Sequence, residues 1–194
     1  MTFIISREVW GARRPNHQAT EERGFFHSRR NQGGWLVYEQ PLVQVLHTVV
    51  IHHSALDPQR FGVREIQRLH QEQNGWADIG YHFVVAGEGQ CYAARPLTVR
   101  GVHVRAANTG TVGLVLLGNF EDHPPAPAQL DTLDRLLVYL TEHYTGITHL
   151  AGHGDFNEET VCPGRFLVPE LRPLAERHHL QFGTGGYRPP VWSR

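Results

Sequence analysis

A single α/β domain, with a mixed central β-sheet flanked by helices, is the architecture this sequence predicts, on three observations. Leu46–Ile51 and Thr111–Leu117 are apolar, β-branched runs without polar alternation, the pattern of strands buried on both faces. Leu130, Leu133, Leu137 and Leu140 recur at helical spacing behind a cluster of prolines, which marks a helix with one core-facing stripe. Strands and helices are mixed along the chain, so the helices have a sheet to cover. At 194 residues the chain has room for one sizeable core and too little for two.

In chain order, residues 1–44 read as an N-terminal arm and insertion packed on the domain, 45–180 as the main domain, and 181–194 as an irregular tail. Ser6–Pro15 is an aromatic-bearing lead-in that sets Trp10 on the domain. Asn16–Glu39 is polar and glycine-containing but carries Phe25, Phe26, Trp35 and Tyr38, too many aromatics for a linker, which predicts a long ordered loop or small insertion. The strand at Leu46–Ile51 ends in His52 and His53. Ile66, Leu69 and His70 predict a helix over Val63–Gln73, ended by Asn74-Gly75. A loop from Trp76 runs into a second core strand ending near Val85. Gly87-Glu88-Gly89 then turns into a third, Gln90–Ala94. Arg95–Ala107 is a loop containing His103. After the strand at Thr111–Leu117 a helix spans Ala128–Tyr144, Thr148–Ala151 leads into a polar loop, and a last helix spans Phe166–His178.

Composition excludes several classes of partner. The formal net charge is -1 with no polybasic run, so nothing marks the chain for nucleic acid. Cys91 and Cys162 are its 2 cysteines, too few for a disulfide framework. The N-terminus lacks a basic segment followed by an apolar one, so no signal peptide is expected, and no stretch approaches the roughly 18 apolar residues of a membrane span.

Chemistry concentrates in Ala151–Gly164. His153 and Cys162 are two good transition-metal ligands, closed by Cys-Pro-Gly, a turn that presents the sulfur from a rigid support. A third ligand is expected at a strand end, where His52 and His53 stand. Successive strand residues face opposite ways, so one of the two is a ligand and the other supports or packs. Two imidazoles and a thiolate leave zinc an open fourth position for water, as in catalytic zinc sites. With 14 histidines in the chain, chance pairs are expected. A second reading makes Cys162 a nucleophile with His153 as base, but the Cys-Pro turn and the absence of a helix start after a strand weigh against it. A purely structural zinc requires a fourth protein ligand, and no second cysteine lies near.

Five stretches in the same order carry a resemblance: Val50–Ser54, Asp78–Phe83, Gly101-Val102-His103, Asn108–Gly113, and Gly152-His153 with Thr160–Gly164. Over Val45 to about Leu174 the chain resembles the zinc-dependent N-acetylmuramoyl-L-alanine amidases of the type-two class, which include phage cell-wall amidases and peptidoglycan recognition proteins. Ser6–Arg13 echoes the N-terminal segment of the recognition proteins. The resemblance implies an amidase-like fold and one zinc ion held by His52, His153 and Cys162, with Tyr81 beside the metal and Thr160 near it. Tyr81 is then a candidate for water orientation or oxyanion stabilisation. His103, Asn108, Trp76 and His53 are candidate substrate contacts. Three departures stand out: Thr160 where phage members often carry lysine, Val115 where some bacterial members place a glutamate, and Gly154 where the family usually has arginine.

The function implied is hydrolysis of the amide bond between N-acetylmuramic acid and L-alanine in peptidoglycan, by a monomer made in the cytoplasm that meets the wall after release or lysis. The zinc set and the resemblance imply the reaction; the substrate rests on the resemblance alone. A module that binds peptidoglycan without cutting it is the alternative, though non-catalytic relatives typically lose the cysteine that this chain keeps.

Overall fold

The computed structural model describes residues 3–19, 35–185 and 187. Seven strands form one sheet: β1 (Ile4–Ile5), β2 (Thr48–His53), β3 (Phe83–Val85), β4 (Cys91–Ala93), β5 (Thr111–Leu116), β6 (His149–Gly152) and β7 (Gln181–Phe182). Their order across the sheet is β1-β4-β3-β5-β2-β6-β7, and every neighbouring pair is parallel except β3 with β4. The sheet is therefore mixed, with the predicted buried runs β2 and β5 side by side at its centre. All six residues of each are buried.

Alternation along the strands separates two packed layers. Val49, Ile51, Leu114 and Leu116 point to the face covered by α4 (Pro127–His143) and α5 (Val168–Arg177), whose Leu133, Leu136, Leu137, Leu140, Leu171 and Leu174 complete that core. Val84 and Val115 point to the opposite face, where α3 (Val63–Glu72) contributes Val63 and Ile66 and α1 (Arg7–Trp10) contributes Trp10. Pro127 opens α4, where a missing N–H costs nothing, and the Gln129 side chain accepts from Ala126 N. The helix α3 ends before Gly75, whose φ of +67° is the left-handed turn that a glycine takes freely.

Predicted elements match within a few residues; the shortest ones differ. β1, α1, α2 (Leu42–Val45) and β7 are 2 or 4 residues long, too short to show a period. The strand β7 pairs with β6, so residues 181 and 182 belong to the sheet rather than to an irregular tail. Phe25 and Phe26 lie outside the described residues, whereas Leu36 and Tyr38 return to the core and Val37 bridges to Val99. Cys91 and Cys162 are both free thiols. No helix among the described residues is long and apolar enough to cross a membrane.

Candidate metal centre

Two adjacent parallel strands bring the site together. β2 and β6 are hydrogen-bonded neighbours, with Ile51 opposite Gly152, so His52 and His153 each follow one step beyond that pair. The chain then tightens into a 3-10 turn, His153–Asp155, and the Asp155 carboxylate holds the amide of the residue before the turn: Gly152 N donates to Oδ2 at 2.8 Å. The loop folds back so that Gly154 N donates to Cys162 O at 2.8 Å, which sets the sulfur beside the strand ends. Ligand atoms of His52, His153 and Cys162 all lie within 4.8 Å of one another, close enough to hold one metal ion.

The three donors sit in different surroundings. His52 is fully enclosed, with Nδ1 3.7 Å from Cys162 Sγ and Nε2 3.0 Å from His103 Nδ1. His153 is half-buried with its ring 4.7 Å from that of His52, and it makes no side-chain hydrogen bond among the described residues. Burial holds His52 well below the usual imidazole range, reinforced by the facing His103 and His153, and burial lowers His153 as well. Both are thus neutral donors. Burial also pushes the Cys162 thiol up to about 12, so a metal entering here displaces that proton.

Tyr81 completes the cleft. It follows the loop before β3, and its ring lies 5.1 Å from His52 and 5.5 Å from His70 of α3. Its hydroxyl makes no hydrogen bond among the described residues, and burial, aided by the nearby Cys162, raises its pKa above the ordinary value. It is a protonated donor without an acceptor among the described residues, beside the candidate ligand cluster.

The other candidates fall into two groups. Thr160 lies in the metal loop, where its hydroxyl accepts from Cys162 N at 3.2 Å, a bond that supports the ligand's backbone. His103 is buried against His52 rather than lining an open wall. Asn108 is buried too, and its Oδ1 accepts from His103 N and Val104 N at 2.7 and 2.8 Å, so its amide fixes a loop instead of facing the cleft. Trp76 is half-buried and packs against His70 at 4.6 Å with its ring tilted by 52°, and His70 in turn meets Tyr81. His53 points to the sheet's other face: its Nδ1 accepts from Phe120 N at 3.1 Å, and the structure does not bring it to the cluster. Strand alternation explains this, since it separates His52 from His53. Val115 stands directly beside His52 in register, so no carboxylate occupies that position.

Sequence reasoning missed His70 and His82, which flank Tyr81 and His103, and the glycines Gly101 and Gly113 that leave room for the His103 ring. Their only signal is that Gly101, Gly113 and His82 fall inside the stretches quoted above.

Residues 43–165 match the N-acetylmuramoyl-L-alanine amidase family. Peptidoglycan-recognition protein LB of Drosophila melanogaster is 30% identical over 191 residues, covering 94% of this chain and 73% of that protein. The endolysin of Escherichia phage T7 is 38% identical over 111 residues, covering 54% of this chain and 73% of the endolysin. Among solved structures, a point mutant of Drosophila recognition protein LB in complex with tracheal cytotoxin superposes with a TM-score of 0.69 at 27% identity, covering 92% of this chain and 96% of that one.

Proposed function

Because this chain belongs to the N-acetylmuramoyl-L-alanine amidase family, we propose that it is a zinc-dependent enzyme that hydrolyses the amide bond between N-acetylmuramic acid and L-alanine in peptidoglycan. The observation that carries the reading is the convergence of two neutral imidazoles and one thiol within 4.8 Å, beside a tyrosine hydroxyl that no group among the described residues engages. That donor set fits zinc with an open coordination position. When bound there, zinc supplies Lewis acidity toward the amide carbonyl and a lowered pKa for water. His52 and His153 offer lone pairs from the ends of stiff strands, and Cys162 offers its sulfur once its proton has left. Tyr81 keeps its proton and donates toward negative charge as it develops on the carbonyl oxygen. Neither a lysine near Cys162 nor a glutamate on β5 assists, since Thr160 and Val115 stand at those positions. The protons that the leaving amine takes up as the C–N bond breaks are therefore assigned to the attacking water itself, whose oxygen ends in the new carboxylate.

The second reading, binding without cleavage, is favoured by the recognition protein that the chain parallels over 94% of its length. One experiment separates the two. Purified peptidoglycan is incubated with zinc-loaded protein and with Cys162→Ala, and the soluble products are weighed by mass spectrometry. Free stem peptides beginning at L-alanine, absent with the variant and with chelator, are expected. Protein that pellets with the wall and releases nothing establishes the binding module, and cleavage at any other bond sinks the amidase reading.

A further inference from the structure

We propose that His103 is a positioning residue for the metal, holding His52 in the tautomer and orientation that aim a bare Nδ1 at Cys162 and His153. The inference rests on the zinc reading above and names how this chain prepares one ligand for it.

The argument follows the protons. Thr111 Oγ1 lies 2.7 Å from Ala107 O and 3.1 Å from Asn108 O. Carbonyl oxygens only accept, so the single hydroxyl hydrogen of Thr111 is committed to them. Toward His103 Nε2, at 3.5 Å, Thr111 can then only accept, which puts the proton of a neutral His103 on Nε2. His103 Nδ1 is left as an acceptor, 3.0 Å from His52 Nε2. His52 must therefore carry its proton on Nε2 and present Nδ1 as a lone pair, on the side where Cys162 Sγ lies 3.7 Å away. The opposite polarity would place a proton on Nδ1 and block ligation.

A second observation shows that the ring is built in. A Cβ at Gly101 would lie 2.5 Å from the His103 ring, and one at Gly113 would lie 2.6 Å from it, so both glycines leave a slot that the imidazole fills. The Asn108 amide oxygen pins the backbone on which that imidazole stands. His153, by contrast, has no such partner among the described residues. The enclosed ligand is the one held from behind, as metal-binding histidines commonly are through their second nitrogen.

The test uses three readouts on wild type, His103→Leu and His103→Asn: zinc affinity by chelator competition, the visible spectrum with cobalt substituted, and the His52 tautomer in the metal-free protein by nitrogen NMR. We expect about a 10- to 100-fold loss of zinc affinity in His103→Leu, with an altered cobalt spectrum and a displaced tautomer. Asparagine retains an acceptor near the place of Nδ1 and should restore most of the affinity. A folded leucine variant with wild-type affinity overturns the proposal, as does a wild-type His52 protonated on Nδ1. Should the leucine variant not fold, Thr111→Val cuts the chain at its far end while keeping the shape; unchanged affinity and tautomer there also overturn it. Wild-type protein that takes no zinc refutes the metal reading separately, and the metal-free tautomer still decides the role of His103.

Discussion

In the proposed reaction Tyr81 and Cys162 divide the chemistry between them, and single-atom changes separate their proposed roles. Removing the Tyr81 hydroxyl with Tyr81→Phe leaves the ligand cluster intact, so zinc content measured by atomic absorption should match wild type. The same variant should lose about 100- to 1,000-fold in kcat, the usual cost of deleting one donor aimed at a developing oxyanion. Equal rates with and without the hydroxyl would remove Tyr81 from the mechanism. Cys162→Ser replaces a soft thiolate by a hydroxyl that does not ionise near neutrality, so zinc should be lost by competition with a weak chelator and activity with it. Strand alternation left one candidate ligand between His52 and His53, the resemblance pointed to His52, and the structure places His52 with His153 and Cys162. The bond from His103 to His52 was not, because 51 residues separate the two rings and nothing local in either segment records the meeting.

At the level of elements, the long periodic ones were readable and the short ones were not. β2, β5 and α4 each carry several residues of a repeating pattern, which is what hydrophobic periodicity measures. α1 has 4 residues, and it forms because Ser6 caps Val9 N and because tertiary contacts hold it. Those contacts centre on Asp78, fully buried, whose carboxylate meets Arg7 at 2.7 Å and also accepts from Gln67 and from Ile79 N. Trp10 Nε1 donates to Ala93 O at 2.7 Å on β4. The N-terminal segment is thus part of the domain's own framework on the face that carries the site. Arg7→Ala leaves a buried carboxylate without its cation and should cost about 3 kcal/mol, read as a lowered denaturation midpoint in urea with an unchanged slope. A shift below about 0.5 kcal/mol would show that α1 is an ornament rather than a strut.

For the whole molecule, buried histidines set the acid limit. Burial lowers His70 to about 3 and His82 to about 4, from an ordinary value near 6.5. Both folded-state values are depressed, so below pH 6.5 the unfolded chain binds protons that the folded chain refuses. Stability is full above that pH and falls as pH drops from 6.5 toward 4, by about 1.4 kcal/mol per pH unit for each of the two. Thermal melts of the metal-free protein at pH 7.5, 5.5 and 4.5 should show a steep decline, and a flat profile would mean that these rings are solvated. The same architecture sets a clock on synthesis. His52 and Cys162 stand 110 residues apart in the chain, and β6 reaches its place beside β2 only after the other central strands exist. At about 5–20 residues per second, a ribosome needs roughly 5–20 s to travel from one ligand to the other. For most of that interval the growing polypeptide holds only the first of the three candidate ligands, since His153 precedes Cys162 by nine residues, so any wall-cutting capacity arrives at once and never by degrees.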